Sequence, residues 1–235
     1  MSAPKSTGSD AAGPHSSGPG SSGLASSVPT ILFSDRWIVV AEKPCGLLSV
    51  PGIGPEKADC LVARLQANFS GARIVHRLDR DTSGVMVLAR DADVHRELSR
   101  QFEQREIEKT YEAIVFGHTT EIAGIIDLPI RKQAMGSAIQ IIDRVLGKPS
   151  TTRWRTLDRI ESPPRTRVEL RPLTGRSHQL RVHLQAIGHP IVGDELYAPR
   201  DVFELASRLC LHSTKLAFTH PVTKLRREFY STCPF

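Results

Sequence analysis

The 235-residue chain has four cysteines, Cys45, Cys60, Cys210 and Cys233, and no two of them make a Cys-x-x-Cys spacing. That scatter indicates neither a zinc site nor a disulfide framework, and it suits a reduced, cytoplasmic compartment. No apolar run approaches the roughly 18 residues of a membrane span, so no membrane partner is expected. The start of the chain lacks both the basic opening and the apolar centre of a secretory signal. The first arginine is Arg36, which argues against an arginine-rich transit peptide. No glycine-rich nucleotide loop and no internal repeat is present. His178 and His183 do not have the His-Glu-x-x-His spacing, and no acidic residue accompanies them, so orienting hydrogen bonds suit them better than a metal. No cofactor and no metal is expected.

What the chain does have is a modest excess of basic charge, 31 Lys+Arg against 25 Asp+Glu, for a net +6. This favours a polyanionic partner, with a merely solubilising surface as the alternative. Residues 1–28 are rich in Ser, Gly, Pro and Ala, with Leu24 and Val28 the only large aliphatics after Met1. Such a segment cannot bury a core and is expected to be a disordered, dispensable tail. Residues 29–235 are long enough for a single catalytic domain.

Within that domain the apolar patterning predicts a β-hairpin from Ile31-Leu32-Phe33 and Trp37–Ala41. The stretch from Glu42 to Gly52, with Pro44, Gly46, Pro51 and Gly52, reads as an ordered loop, and Leu61, Leu65 and Phe69 as a core-facing helix. Val85–Ala89 reads as a buried strand. Val94, Leu98 and Phe102 mark an amphipathic helix over about 92–105 whose mixed charges suit a solvated face. Lys109–Gly117, Thr151–Trp154 and Arg165–Arg171 read as strands, the last with Val168 and Leu170 inward. Leu180, Leu184 and Ile187 define one face of a helix closed by Gly188, with Arg176 and Ser177 at its N-terminal turn, where free N–H groups suit an anion.

Two stretches carry the chemistry. In His76-Arg77-Leu78-Asp79-Arg80-Asp81-Thr82-Ser83-Gly84, four charges alternate in sign directly ahead of the buried strand. Charge this dense beside a core is costly unless each ion is paired or used. A polar loop with a structural aspartate is the plain reading; a functional carboxylate is the sharper one. The second stretch is Thr174-Gly175-Arg176-Ser177-His178-Gln179-Leu180-Arg181.

Together, in this order, the two boxes resemble the RluA family of pseudouridine synthases, from about Thr30 to the C-terminus. The resemblance implies a pseudouridine synthase fold: one α+β domain around a mainly antiparallel mixed sheet, with flanking helices and an RNA-binding cleft. It implies isomerisation of uridine in RNA, with Asp79 as the catalytic carboxylate, Arg176 pairing with it, and Tyr111 packing on the base, its hydroxyl available for proton transfer. Arg77 would occupy the space left by the flipped base, and His76, Arg80, His178 and Arg181 are further expected RNA contacts. The carboxylate's route stays open: attack at C1′, removal of the C2′ proton, or attack at C6. Gly46–Gly52, Arg100-Gln101-Phe102, Asp127-Leu128-Pro129 and Gly147-Lys148-Pro149 are similar to the family's compact dual-specificity subgroup. The implied partners are structured RNAs, 23S rRNA and a tRNA anticodon stem-loop, bound by a monomer. The tail leaves no room for the S4-type RNA-binding module of longer members. Modification of a single rRNA or tRNA site, a non-catalytic RNA-binding protein on the same fold, and a nucleoside hydrolase that would release uracil are the alternatives.

Overall fold

The structure, a computed structural model, describes residues 1–2 and 29–235, so the expectation for the tail lies almost wholly outside the described residues. In chain order the elements are β1 (Ile31–Ser34), β2 (Ile38–Lys43), α1 (Leu61–Gln66), β3 (Arg73–Ile74), β4 (Ser83–Ala89), α2 (Ala92–Glu103), β5 (Glu108–Phe116) and β6 (Ala123–Asp127). There follow β7 (Ile130–Lys132), β8 (Gln140–Ile142), β9 (Thr151–Ile160), β10 (Arg165–Pro172), α3 (Gln179–Ala186), α4 (Arg200–Phe203), β11 (Leu211–Thr219) and β12 (Arg226–Tyr230). One ten-stranded sheet runs β1-β2-β4-β11-β5-β10-β9-β6, with β3 on β4 and β12 on β11, while β7 and β8 form a separate ribbon. Among the described strands β4 and β11 pair parallel and the other pairs are antiparallel. The fold is therefore α+β around a mainly antiparallel mixed sheet. No described helix is long and apolar enough to cross a membrane.

Two apolar cores lie on the two faces of this sheet, and the period of two distributes residues between them. In β4, Met86 and Leu88 join one core while Val85, Val87 and Ala89 join the other. In β2, Val39 and Ala41 go one way and Ile38 and Val40 the other. A strand buried on both faces is why the sequence shows a continuous apolar run here instead of alternation. The hairpin turn is fixed by Asp35, whose Oδ1 accepts from the N–H groups of Trp37 and Ile38, both at 2.8 Å.

α2 starts on Asp91, whose carboxylate accepts from Val94 N–H at 2.8 Å. Its buried stripe is Val94, Leu98 and Gln101. Gln101 replaces the expected Phe102 because its amide closes two bonds to the Thr219 backbone, at 2.9 and 3.1 Å. Phe102 lies half-buried and stacks on His76. α1 ends at Gln66, with Phe69 on the turn that follows.

α3 departs further from its amphipathic reading. Every residue from Gln179 to Leu184 is buried, including Arg181 and His183. The helix is wedged beneath the sheet, so its polar side chains must find partners inside the protein.

Candidate active site

The two boxes meet at one cavity of about 1160 Å³, whose wall includes His76, Arg77, Asp79, Tyr111, Arg176 and Gln179. Each arrives there for a local reason. The loop ahead of β4 is held from behind by its backbone. Lys43 is 1 % exposed and gives its Nζ to the carbonyls of Pro44, Leu47 and Arg80, at 2.9, 2.7 and 2.7 Å. Ser49 Oγ donates to Leu78 O at 2.8 Å and accepts from Leu78 N–H at 3.2 Å. Burial draws Lys43 down to about 8, since a charge removed from water is disfavoured. The Lys43–Leu47 loop thus buttresses the Asp79 loop from outside the cavity, a role the sequence reading did not assign.

At the loop's end Gly84 adopts φ +117°, and a Cβ there would lie 2.3 Å from Ser213 O on β11. The close approach of two parallel strands requires glycine.

The second box is folded by Gln179. Its Oε1 accepts from Thr174 Oγ1 at 2.7 Å and from Arg176 N–H at 3.0 Å. Its Nε2 donates to Thr151 O and Thr152 Oγ1, tying the entry of α3 to β9. Just before the helix His178 turns left-handed, at φ 53°.

Asp79 is half-buried, with Oδ2 3.8 Å from Arg181 Nη1 and Oδ1 3.9 Å from His178 Nε2. Arg181 is 4 % exposed and forms a two-point pair with Asp194, at 2.8 and 2.5 Å. Asp194 itself is fully buried and also accepts from Leu196 and Tyr197 N–H. The Tyr197 hydroxyl accepts from Gln140 N–H at 2.8 Å and lies 2.7 Å from His178 Nδ1. A tyrosine proton given to Nδ1 leaves the Nε2–H of a neutral His178 facing Asp79. Burial pushes His178 below its ordinary value, which favours that neutral form.

Two expectations are corrected here. Asp79 faces Arg181, and the expected Arg176 pairing is not formed: Arg176 is exposed on the cavity wall and makes no ion pair among the described residues. Arg181 is not placed to hold RNA phosphate, because α3 turns it inward onto Asp194. Four residues lie between the two arginines, and the helix start among them sends one outward and one inward.

The remaining predicted residues fall as follows. Tyr111 is buried on β5, and burial together with the Asp79 charge raises its hydroxyl above the usual tyrosine value. Arg77 is exposed at the cavity without an ion pair among the described residues. His76 is a neutral ring, drawn down to about 3 by burial and by Lys109, and its Nε2 accepts from Val87 N–H at 3.1 Å. Arg80 lies outside the cavity wall, paired with Asp81 and 3.6 Å from Glu195. His183 bridges Thr152 Oγ1 and Leu128 O, both at 2.9 Å, an orienting role as its spacing suggested.

The wall also carries Arg105, Lys109 and Arg153, which the sequence reading did not single out. Exposed, unpaired arginines on the wall that carries Asp79 suit a polyanion brought to that acid.

Residues 37–186 match the sequence profile of the family described as RNA pseudouridylate synthase. A Yersinia pestis protein named dual-specificity RNA pseudouridine synthase RluA is 47% identical over 191 residues, 81% of this chain and 92% of that protein. The Escherichia coli protein of the same name is 44% identical, over 81% of this chain and 87% of its own length. Among solved structures, human RNA pseudouridylate synthase domain containing 1 superposes with a TM-score of 0.74 at 31% identity, covering 88% of this chain and 84% of that one. Human RNA pseudouridylate synthase domain containing 4 gives 0.69 at 26% identity, covering 87% and 88%.

Proposed function

The chain belongs to the RNA pseudouridylate synthase family and is an RNA pseudouridine synthase, and from that premise we propose that Asp79 is its catalytic carboxylate, acting on uridines flipped out of rRNA and of a tRNA anticodon stem-loop. The observation that carries the proposal is the placement of Asp79: a half-buried acid on the cavity wall, with the buried Arg181 guanidinium behind it.

The reaction breaks C1′–N1, turns the uracil and joins C1′ to C5. A proton leaves C5 and N1 gains one, so atoms balance without an oxidant or a group donor. Attack at C1′, removal of the C2′ proton and attack at C6 each call for a carboxylate beside the sugar–base junction. Arg181 and His178 would aim that carboxylate and answer changes in its charge. Tyr111 would pack on the base, its hydroxyl within the site for proton transfer. Flipping the uridine costs a few kcal/mol. Arg77, exposed and unpaired at the mouth, would fill the vacated stack, and Arg176 would hold phosphate. The dual-specificity names of the relatives support two RNA substrates here.

The test is to incubate the purified protein with rRNA and tRNA from cells lacking its gene, then map pseudouridine by chemical derivatisation. New pseudouridine in both RNAs, with RNA mass unchanged and no free uracil, is the expected result. Modification of one RNA refutes dual substrates; uracil release refutes isomerisation.

A further inference from the structure

β9 and β10 set two arginines directly opposite each other: Arg153 and Arg171 are cross-strand partners. Like charges at such a position destabilise a sheet unless an opposite charge joins them. The neighbouring carboxylate, Glu169, is already engaged by Arg155 at 2.8 Å and by Arg171 Nε at 2.9 Å. Arg153 is exposed and makes no ion pair among the described residues.

Both arginines line the catalytic cavity, and both also line a neighbouring concavity of about 430 Å³. The rest of that concavity is formed by Ala123, Gly124, Ile125 and Trp154 together with the Arg155–Glu169 ion pair. The register places Ala123 opposite Arg155 and Ile125 opposite Arg153, so these side chains share one sheet face. Ile125 is 63 % exposed on the edge strand, where it contributes nothing to the cores. The volume falls within the roughly 300–1,000 Å³ of small-ligand sites. An apolar floor with guanidinium groups at its rim matches a nucleobase followed by its phosphate.

We infer that this concavity is a second nucleotide subsite. The Arg153–Arg171 pair holds a phosphate between the target uridine and a neighbouring nucleotide, whose base lies against Ile125 and Ala123, the apolar side chains on the arginines' own face of the sheet. The inference rests on the RNA reading above, because a strand leaving the catalytic cavity passes both sides of the arginine pair. Apolar contact and guanidinium stacking accept the face of any base. The subsite therefore requires an unpaired neighbour without naming its sequence. It would admit uridines in loops whose adjacent base is also free and reject uridines flipped singly from a duplex.

The test uses a stem-loop RNA carrying the mapped uridine in its loop, and versions with one abasic residue at each of the two positions on either side. Affinity by fluorescence anisotropy and single-turnover pseudouridine formation are read for each. With the wild-type protein, one abasic position should weaken binding about ten-fold while the other positions change it little. Ile125→Asp should weaken binding of the intact RNA by a similar factor, and the abasic residue at that position should then add nothing. Arg153→Ala should lower the slope of log affinity against log salt by about one. Equal effects of all abasic positions, with turnover intact, overturn the subsite and leave the synthase reading standing. No pseudouridine in any RNA overturns that reading, and the subsite with it. If light scattering shows a dimer that Ile125→Asp dissociates, the face is a contact between copies and the subsite is overturned.

Discussion

Arg181 is shared by two carboxylates: Asp194 takes two of its nitrogens at 2.8 and 2.5 Å, and Asp79 faces a third across 3.8 Å. The Asp194 side is sealed, and the Asp79 side opens to the cavity. One guanidinium thereby serves as both a structural tie and the backing of the candidate acid.

Asp79→Asn keeps shape and removes charge. Turnover should fall at least about 10³-fold, as for a member of a catalytic unit. RNA affinity should survive, since phosphate contacts supply most of it. Single-turnover kinetics and melting temperature on the same preparation decide the matter: normal turnover with early melting would make Asp79 merely structural.

The two arginines of the second box should behave oppositely. Arg181→Met strands the buried Asp194 carboxylate and should cost about 3–5 kcal/mol in chemical denaturation. Adding Asp194→Leu should restore part of that stability while turnover stays low, because Asp79 has still lost its guanidinium. Arg176→Ala should change stability by less than about 0.5 kcal/mol and reduce the salt slope of RNA binding by about one.

Tyr111→Phe should bind RNA normally and turn over slowly, measured by the split between affinity and single-turnover rate. Unchanged turnover would confine Tyr111 to a stacking surface.

Much of this was legible in the chain. β4 and α2 declared themselves because a doubly buried strand is continuously apolar and a surface helix repeats its apolar stripe. The Asp79 loop was visible as an excess of charge beside a core. Three features were not legible. Arg176 and Arg181 are chemically identical in sequence, and the helix start at Gln179 alone decides which turns inward. Lys43 has no local sign of burial, because the three carbonyls that hold it include one 37 residues away. The Arg153–Arg171 pair depends on the register between β9 and β10, which no local pattern fixes.

Acid should destabilise the fold through two histidines, half-buried His76 and buried His212. His76 and His212 are drawn to about 3 and about 4 in the folded protein, while the unfolded chain takes up these protons near 6.5. The unfolded state therefore binds more protons below pH 6.5. Their contribution is complete above that pH and is lost as pH falls toward 4. With the unfolded histidine half protonated at pH 6.5 and the slope approaching about 1.4 kcal/mol per unit below it, each histidine should remove about 1.5 kcal/mol between pH 6.5 and 5. His212→Asn should flatten a urea-midpoint profile over that window; an unchanged slope would refute its part.

The position of β11 has a consequence for how the chain is made. β4 and β5 follow each other in sequence, separated only by α2, yet β11 lies between them in the sheet. Asp79 precedes β4 and Tyr111 sits on β5, so the span between acid and ring is set by a strand that starts at Leu211. A nascent chain still short of Leu211 holds both residues without the element that spaces them. Closing that long loop is an entropic cost met late, by contacts distant in sequence. The cleft should therefore not exist during synthesis until the final strands emerge from the ribosome, so the enzyme first meets ribosomal RNA without a working site.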